Sequence, residues 1–488
     1  MKRLLSVILA ATLLFLTLSV PAAAQSAPAA APAQVENARP VVIVRGLYFD
    51  GLTVDAGTPN ERNAIGEIKV TDILKTLGKV GFQLVANGKK AAVSELCAYV
   101  RQIFECFTND KNGDPLYQAS VDTYPLSLDH YPDSALAEGT AREEGLAHAV
   151  MDTVGGDRTY YVGYDWRKSQ LDVADEINEM IERALADHPE FDKVTIISAS
   201  MGGMETIGYL TKYGYDKIQR CVFHSSTFYG AYVAGDCLTG RIVIDPTALC
   251  RFVGYHVPAL AKPLELLNKV GVVKAVCKLL QKFVDNNKRQ VYDEVLVDTF
   301  GTMPGLWGVT PTEYYEDAKA YVFGDRIGEY AGLIERADAL QEMAAGVPAL
   351  IKRMEAEGVE LCVVAGYNAP LAPTYEHAVV NGDDTLETAL MCGGAVVADL
   401  GKTLGDDYVP ANPEMMTADR VADLSDVILP ENTWLVKNAP HVACNYGSDC
   451  SAFVMWLLTT PEAPNVRSDP RYPQFMLADS EQNLSPLK

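Results

Sequence analysis

Positive charge is scarce in this sequence. The 488 residues include 41 lysines and arginines but 64 aspartates and glutamates, which gives a formal net charge of −23. A chain this acidic repels polyanions, so we expect no nucleic-acid partner. For the same reason, electrostatic docking on anionic lipid would require a local basic patch.

Long apolar runs are also scarce. One run covers residues 4–20, and no second run of membrane-spanning length follows it. A basic start (residues 1–3, Met-Lys-Arg) precedes this run, and three alanines (residues 22–24) follow it. The pattern predicts that residues 1–24 are a secretory signal peptide, with a membrane anchor as the alternative. We therefore expect an exported protein, secreted or retained at the cell envelope, with an Ala- and Pro-rich linker over residues 25–38.

Metal-binding spacings are absent as well. None of the ten cysteines belongs to a C-x-x-C motif, and the sequence contains no H-E-x-x-H motif. We therefore predict neither a metal nor another cofactor. In an exported chain, ten cysteines indicate disulfide bonds, whose pairing the residues alone leave open.

The stretch 194–204 combines a buried strand with the start of a helix. Apolar and β-branched residues lead to Ser200, and apolar residues at helical spacing follow it. A serine at such a corner is typical of the nucleophile elbow of α/β-hydrolases, and Gly202 and Gly203 provide the small neighbours that this turn requires. Ser198 stands where the G-x-S-x-G motif has its first glycine. We predict that Ser200 is the nucleophile.

Further predicted strands alternate with predicted helices. The strands cover residues 40–47, 159–164, 194–200, 220–224, 359–366 and 433–437. Such alternation predicts an α/β-hydrolase fold, with a mostly parallel sheet and helices on both faces. Ligands bind at the carboxyl ends of parallel strands, where Leu47, Asp165 and Ser200 fall. The backbone N–H groups of Leu47 and Met201 are the predicted oxyanion donors.

The chain is long for one hydrolase domain, so insertions are expected. The alternation lapses over residues 230–347, which we predict to be an inserted cap. Its apolar residues form a core of their own, line an acyl-chain groove, or do both. The hydrolase core then comprises residues 39–229 and 348–460. Residues 461–488 contain prolines and show no periodicity, which predicts a surface tail.

A serine nucleophile needs a base, and the base needs a carboxylate to orient it. In α/β-hydrolases the chain order is Ser, then the acid, then His. The histidines after Ser200 are His224, His256, His377 and His441. The first two precede every acid in the later part of the sheet, and the third precedes the Asp-Asp turn. His441 is therefore the predicted base.

The predicted acid lies in the turn 381–385, Asn-Gly-Asp-Asp-Thr, which follows a sheet strand. We prefer Asp383, with Asp384 capping the turn or binding locally. Asp399 and Asp426 are weaker candidates, because neither lies in so tight a turn directly after that strand.

In this arrangement the chain resembles the lecithin:cholesterol acyltransferase and lysosomal phospholipase A2 family, in a divergent bacterial form. The resemblance covers residues 39–460 in order. It rests on Val41–Gly46, Tyr164-Asp165-Trp166-Arg167, Ser200–Gly203, Gly382–Thr385 and His441. It implies acyl-ester chemistry on lipids, with Ser200, Asp383 and His441 as the triad.

The resemblance also implies roles for other residues. Cys362 and Cys392 fall where the family has a disulfide beside the acid turn, so we predict that pair. Asp165 and Arg167 are expected to form a structural pair near the site rather than to act in catalysis. The chain departs from the family at Ser198-Ala199, where Gly-His is usual, and at Arg45, where Pro is usual.

The leading hypothesis is an exported serine lipase, phospholipase or acyltransferase that acts on a lipid or other acyl ester. Such an enzyme would make transient contact with a membrane surface. Two alternatives remain open at this point. One is a catalytically silent α/β-hydrolase-like binding protein, and the other is a carboxylesterase or thioesterase for small soluble esters.

Overall fold

A computed structural model describes residues 34–47, 51–66, 70–132 and 145–488 of the chain. The predicted signal peptide and most of the predicted linker therefore lie outside the described residues.

The described chain alternates strands and helices. The strands are β1 (Val41–Val44), β2 (Leu52–Val54), β3 (Arg62–Asn63), β4 (Ala119–Val121), β5 (Thr159–Val162), β6 (Val194–Ser200), β7 (Ile218–Ser226), β8 (Glu360–Tyr367), β9 (Val396–Val397), β10 (Ala422–Asp423), β11 (Thr433–Lys437), β12 (Phe475–Ala478) and β13 (Leu484–Pro486). The α-helices are α1 (Val70–Ala86), α2 (Gly88–Ile103), α3 (Gly145–Val154), α4 (Gln170–Asp187), α5 (Gly202–Tyr213), α6 (Tyr232–Thr239), α7 (Pro246–His256), α8 (Pro258–Lys269), α9 (Val272–Val291), α10 (Pro304–Gly308), α11 (Tyr315–Phe323), α12 (Ala331–Ala356), α13 (Thr388–Met391) and α14 (Asp449–Thr459).

An eight-stranded sheet forms the centre of the fold, in the order β13-β12-β11-β8-β7-β6-β1-β5. Every neighbouring pair is parallel except β12 and β13, which are antiparallel. The predicted α/β class with a mostly parallel sheet is confirmed. Parallel strands align their carboxyl ends along one edge, which gathers the ends of β1, β6, β7, β8 and β11.

Helices cover both faces of this sheet, because successive side chains of a strand point to opposite faces. In β1, Val42 and Val44 pack in a core that contains residues of α4, α5 and α12. Val41 and Ile43 pack in a second core with residues of α3 and α14. The buried strands are apolar on both sides for this reason, and the sequence lacks the strict alternation of a half-exposed sheet.

Two long insertions interrupt the succession of the central strands. The first follows β1 and contains the small β3-β2-β4 sheet with α1 and α2. The second lies between β7 and β8 and is helical. The two are in contact, since Ser94 donates a hydrogen bond to Glu294 at 2.9 Å and Arg101 pairs with Asp298 at 2.8 Å.

Helix α12 crosses the predicted cap boundary at residue 347. Its first half packs Leu333 and Ala337 beside Trp307 in a cluster of the second insertion. Its second half packs Ile351 and Met354 into the core on the sheet. One helix therefore belongs both to the insertion and to the layer that covers the sheet.

The prediction that residues 461–488 form a surface tail is wrong. Its strand β12 pairs in parallel with β11, and β13 then closes the edge of the sheet. With only four residues, β12 is too short to show a hydrophobic periodicity in the sequence. Met476 and Ala478 are nevertheless fully or almost fully buried. Pairing with β11, a tertiary contact, creates this strand.

The predicted Cys362–Cys392 disulfide is also wrong in this structure, in which all ten cysteines are free. Cys362 lies on β8 and packs on one face of the sheet with Val364. Cys392 packs with Ala365, in the cluster on the opposite face. Because the sheet separates the two thiols, they cannot form a bond without rearrangement of the backbone.

Candidate active site

Ser200 occupies the corner between β6 and α5. Its φ is +53°, a left-handed conformation that is unfavourable for a residue with a Cβ. The corner is held by the residue that follows β7, because Thr227 donates its N–H to the Ser200 carbonyl oxygen at 2.9 Å. The strained backbone therefore presents this serine at the carboxyl edge of the sheet.

Glycines around the corner leave no room for side chains. A Cβ on Gly202 would collide with carbonyl oxygens at the end of β1, and a Cβ on Gly203 would collide with Ser226 Oγ. A Cβ on Gly46 would lie 2.6 Å from the Cβ of Ser200 and 3.2 Å from its Oγ. The small residues that the sequence places here are thus a steric requirement of the corner.

The same contact puts the end of β1 beside the serine. Leu47 directly follows Gly46, and Met201 directly follows Ser200, so both predicted oxyanion residues lie at this corner. Tyr164 braces the turn: its hydroxyl donates to the Arg45 carbonyl oxygen at 2.9 Å, while the buried Arg45 guanidinium donates to the Tyr164 carbonyl oxygen at 3.2 Å.

Asp383 and His441 are hydrogen-bonded, although they are 58 positions apart in the chain. His441 Nδ1 lies 2.7 Å from Asp383 Oδ2. The other carboxylate oxygen accepts the N–H groups of Thr385 and Leu386, at 3.1 and 2.8 Å. Because an ionised carboxylate only accepts, Nδ1 carries the proton, and Nε2 of the neutral ring is free to act as a base.

The charges around His441 favour its protonated form. Burial by itself lowers the pKa of His441, but the charge and hydrogen bond of Asp383, together with the charge of Asp384, raise it above the usual value. Burial and the neighbouring Asp383 raise the pKa of Asp384 to about 6. The charge of Asp383 therefore affects the protonation of both His441 and Asp384.

The loop that carries His441 is attached to the strand beside the serine. Val442 donates its N–H to Ser225 Oγ at 3.1 Å, and the next residue, Ser226, is the sheet partner of Ser200. His441 Nε2 is buried and has no hydrogen-bond partner among the described residues, so it makes no bond to Ser200 Oγ. In structures without substrate, catalytic hydrogen bonds are often long and tighten only when substrate binds.

Asp165 and Arg167 form a buried, bidentate ion pair, with nitrogen–oxygen distances of 2.9 and 2.6 Å. The guanidinium also donates to the carbonyl oxygens of Cys106 and Tyr117, at 2.7 and 3.1 Å. The pair thus ties the segment after β5 to the first insertion. The sequence placed these two residues together, but it contained no signal for their partners at 106 and 117.

The structure contains a second histidine–aspartate pair, which sequence reasoning missed. His377 Nδ1 lies 2.9 Å from Oδ2 of Asp236, a fully buried residue of α6, and the imidazole ring stacks on Tyr232 at 4.2 Å. This hydrogen bond raises the pKa of His377. Chain order could not reveal the pair, because Asp236 precedes the predicted acid region and lies in the insertion.

His224 lies on β7, beneath the candidate site. Burial and the nearby His441 lower its pKa to about 4, so its ring is neutral at pH 7. Among the described residues, no group of three or more histidine, cysteine, aspartate or glutamate side chains is placed to hold a metal ion.

The sequence matches no protein-family model and no curated protein. The chain is similar to one in the solved structure "The crystal structure of Tle4-Tli4 complex", with a TM-score of 0.31 and 12% identity. This likeness covers 86% of this chain and 98% of that chain. A TM-score this low does not support a conclusion about function.

Proposed function

We propose that this protein is a serine hydrolase or acyltransferase of the α/β-hydrolase fold, and that it acts on acyl esters of lipids. The observation that carries the proposal is the Asp383–His441 hydrogen bond, at the sheet edge where Ser200 is held in a left-handed corner. A structural role alone gives no reason for a strained serine and an oriented imidazole at the same edge of the sheet.

In the proposed reaction, the Ser200 hydroxyl transfers its proton to His441 Nε2 and attacks the ester carbonyl. The imidazolium that forms is stabilised by Asp383. The negative oxygen of the tetrahedral intermediate accepts hydrogen bonds from the N–H groups of Leu47 and Met201. His441 then protonates the leaving alcohol, and water or a second alcohol releases the acyl group from the serine.

Two features favour lipid esters over small soluble ones. The first is the resemblance of the segments Tyr164–Arg167 and Gly382–Thr385 to the lecithin:cholesterol acyltransferase and lysosomal phospholipase A2 family. The second is the helical insertion between β7 and β8, whose Ala248 packs with Leu371 and Tyr375 in the loop that leads to the acid turn, where a bound acyl chain would lie. Chromogenic esters of increasing chain length test this choice, since a lipid enzyme should prefer the long acyl groups.

A fluorophosphonate probe tests the nucleophile. We expect covalent labelling at Ser200, and we expect Ser200→Ala to abolish labelling and lower ester turnover by roughly 10^6-fold, as removal of a triad serine does. Ser198→Ala is the matched control. Ser198 lies two residues away on the same strand and its buried Oγ has no hydrogen-bond partner among the described residues, so labelling should persist.

Absence of labelling in the wild-type protein, or turnover that survives Ser200→Ala, would contradict the proposal. Absence of labelling and of turnover would favour the catalytically silent binding protein, for which the missing Ser200–His441 hydrogen bond is the supporting observation. Turnover that survives Ser200→Ala would instead assign the catalysis to another residue.

A further inference from the structure

Helices α7, α8 and α9 expose apolar side chains that no part of the described chain covers. Helix α8 has no buried residue at all. The exposed large apolar residues of this segment are Tyr255, Val257, Leu260, Leu266, Leu267, Val270, Val272 and Leu279. We call this set the apolar tip.

Exposed apolar residues are concentrated in the apolar tip rather than scattered over the surface. It holds eight of the eighteen large apolar residues that are exposed in the described chain, within 25 consecutive positions. Leu266 and Val270 are 62% and 67% exposed. Single exposed apolar residues are normal on a protein surface, whereas contiguous ones mark an interaction surface.

The same segment is basic, although the molecule as a whole is acidic. Residues 257–282 contain five lysines and one glutamate, in a chain with a formal charge of −23. All five lysines are exposed. Lys274, Lys278 and Lys282 follow one another at four-residue spacing, so they share one face of α9.

Helix α7, where the apolar tip begins, lies against the loop that leads to the acid turn. Ala248 of α7 packs with Leu371 and Tyr375, in the loop that leads to the acid turn. Tyr255 is 41% exposed, and its partial burial together with the charges of Asp384 and Asp383 raises its pKa to about 12. The helix from which the tip starts therefore adjoins the loop that leads to Asp383.

We infer that the apolar tip docks on a membrane surface that contains anionic phospholipid, with its apolar side chains in the headgroup region and its lysines on the lipid phosphates. The inference rests on the proposed function, because it supplies the surface from which a lipid ester would be taken. Charge complementarity selects this occupant, because anionic headgroups attract the five lysines, whereas a symmetric contact with a second copy would place the same lysines opposite one another. No helix of the described residues is long and apolar enough to cross a membrane. An amphipathic segment with lysines beside apolar residues instead suits a peripheral contact.

Vesicle cosedimentation with the full chain carrying Ser200→Ala tests the inference without turnover. We expect binding to vesicles of phosphatidylglycerol and phosphatidylcholine, and at least about tenfold weaker binding to pure phosphatidylcholine, since each lysine near an anionic surface contributes. Because binding does not require Ser200, a failure here is distinct from a failure of the probe experiment above.

The double variant Leu266→Asp/Val270→Asp should weaken vesicle binding by at least about tenfold, because two apolar anchors are lost. The control Val409→Asp changes a valine outside the tip that is even more exposed, at 83%, and this variant should bind as before. Thermal unfolding by circular dichroism verifies that both variants fold.

Three results would overturn the inference: no vesicle binding, equal binding to both vesicle types, or binding that the double variant leaves intact. A dimer detected by light scattering and dissociated by Leu266→Asp/Val270→Asp would also overturn it, because the tip would then be an interface between copies of the chain.

Discussion

His441 lies close to the carboxylates of two consecutive residues, and each acts on it differently. Asp383 makes the 2.7 Å hydrogen bond that orients the ring. Asp384 contributes its negative charge, which raises the pKa of His441 further. The backbone of Asp384 is left-handed, with a φ of +82°. A base works only when it is neutral, so the proposed activity should rise with pH as His441 loses its proton.

Asp384→Asn should shift the acid limb of the pH profile of kcat/KM to lower pH. The substitution removes a negative charge that stabilises the imidazolium, so the pKa of His441 falls and the neutral base forms at lower pH. Asparagine tolerates the left-handed conformation of this position. The measurement is ester hydrolysis from pH 5 to 9.

Asp399→Asn is the matched control, because Asp399 is paired with Lys402 at 2.7 Å and should leave the acid limb in place. An unchanged limb, or a shift to higher pH, in Asp384→Asn would show that Asp384 does not influence the base.

At the scale of elements, β12 protects the strand that leads to His441. It pairs with β11, and the segment around it is tied back by side chains. Trp434 Nε1 donates to the Tyr472 carbonyl oxygen at 3.1 Å, and Gln474 Nε2 donates to the Pro430 carbonyl oxygen at 2.8 Å. Without this segment, β11 would become an exposed edge strand with unpaired backbone groups.

Deletion of residues 461–488 should therefore lower the free energy of unfolding by at least about 3 kcal/mol, because the buried side chains of Tyr472 and Met476 are lost with the strand pairing. Urea denaturation followed by circular dichroism measures this. Deletion of Lys488 alone is the control, since this exposed residue lies beyond β13. A truncated chain as stable as the full one would mean that β12 contributes little to the sheet.

At the scale of the whole molecule, the central sheet divides the apolar interior into separate clusters. The cysteines are distributed among these clusters, as with Cys362 and Cys392 on opposite faces. Burial, with the nearby Glu294, raises the pKa of the Cys97 thiol to about 12, and burial likewise raises that of Cys362 to about 12. Buried protonated thiols react slowly, which suits a structure that does not depend on disulfides.

All ten cysteines should accordingly react with maleimide when the purified protein is denatured without reductant. The unfolding temperature should be the same with and without dithiothreitol, because no covalent crosslink is removed. Mass spectrometry counts the labels, with protein reduced before denaturation as the reference. A smaller number of labels than in the reference would reveal a disulfide.

The amino-acid sequence by itself determined the features that depend on neighbouring residues. Apolar runs marked the central strands, and the α/β class followed from their alternation with helices. The glycines at 202 and 203 marked the corner at Ser200. Chain order singled out His441, and the tight turn after a sheet strand favoured Asp383; the structure joins these two residues by a hydrogen bond.

Only the tertiary structure decided the contacts between distant segments. The strand β12 forms because it pairs with the edge of β11. Arg167 donates hydrogen bonds to the carbonyl oxygens of residues 106 and 117 in the first insertion. The same holds for the faces on which Cys362 and Cys392 lie, and for the exposed side of α8. Periodicity and spacing act over a few residues, whereas the burial of a side chain depends on segments that the chain brings from far away.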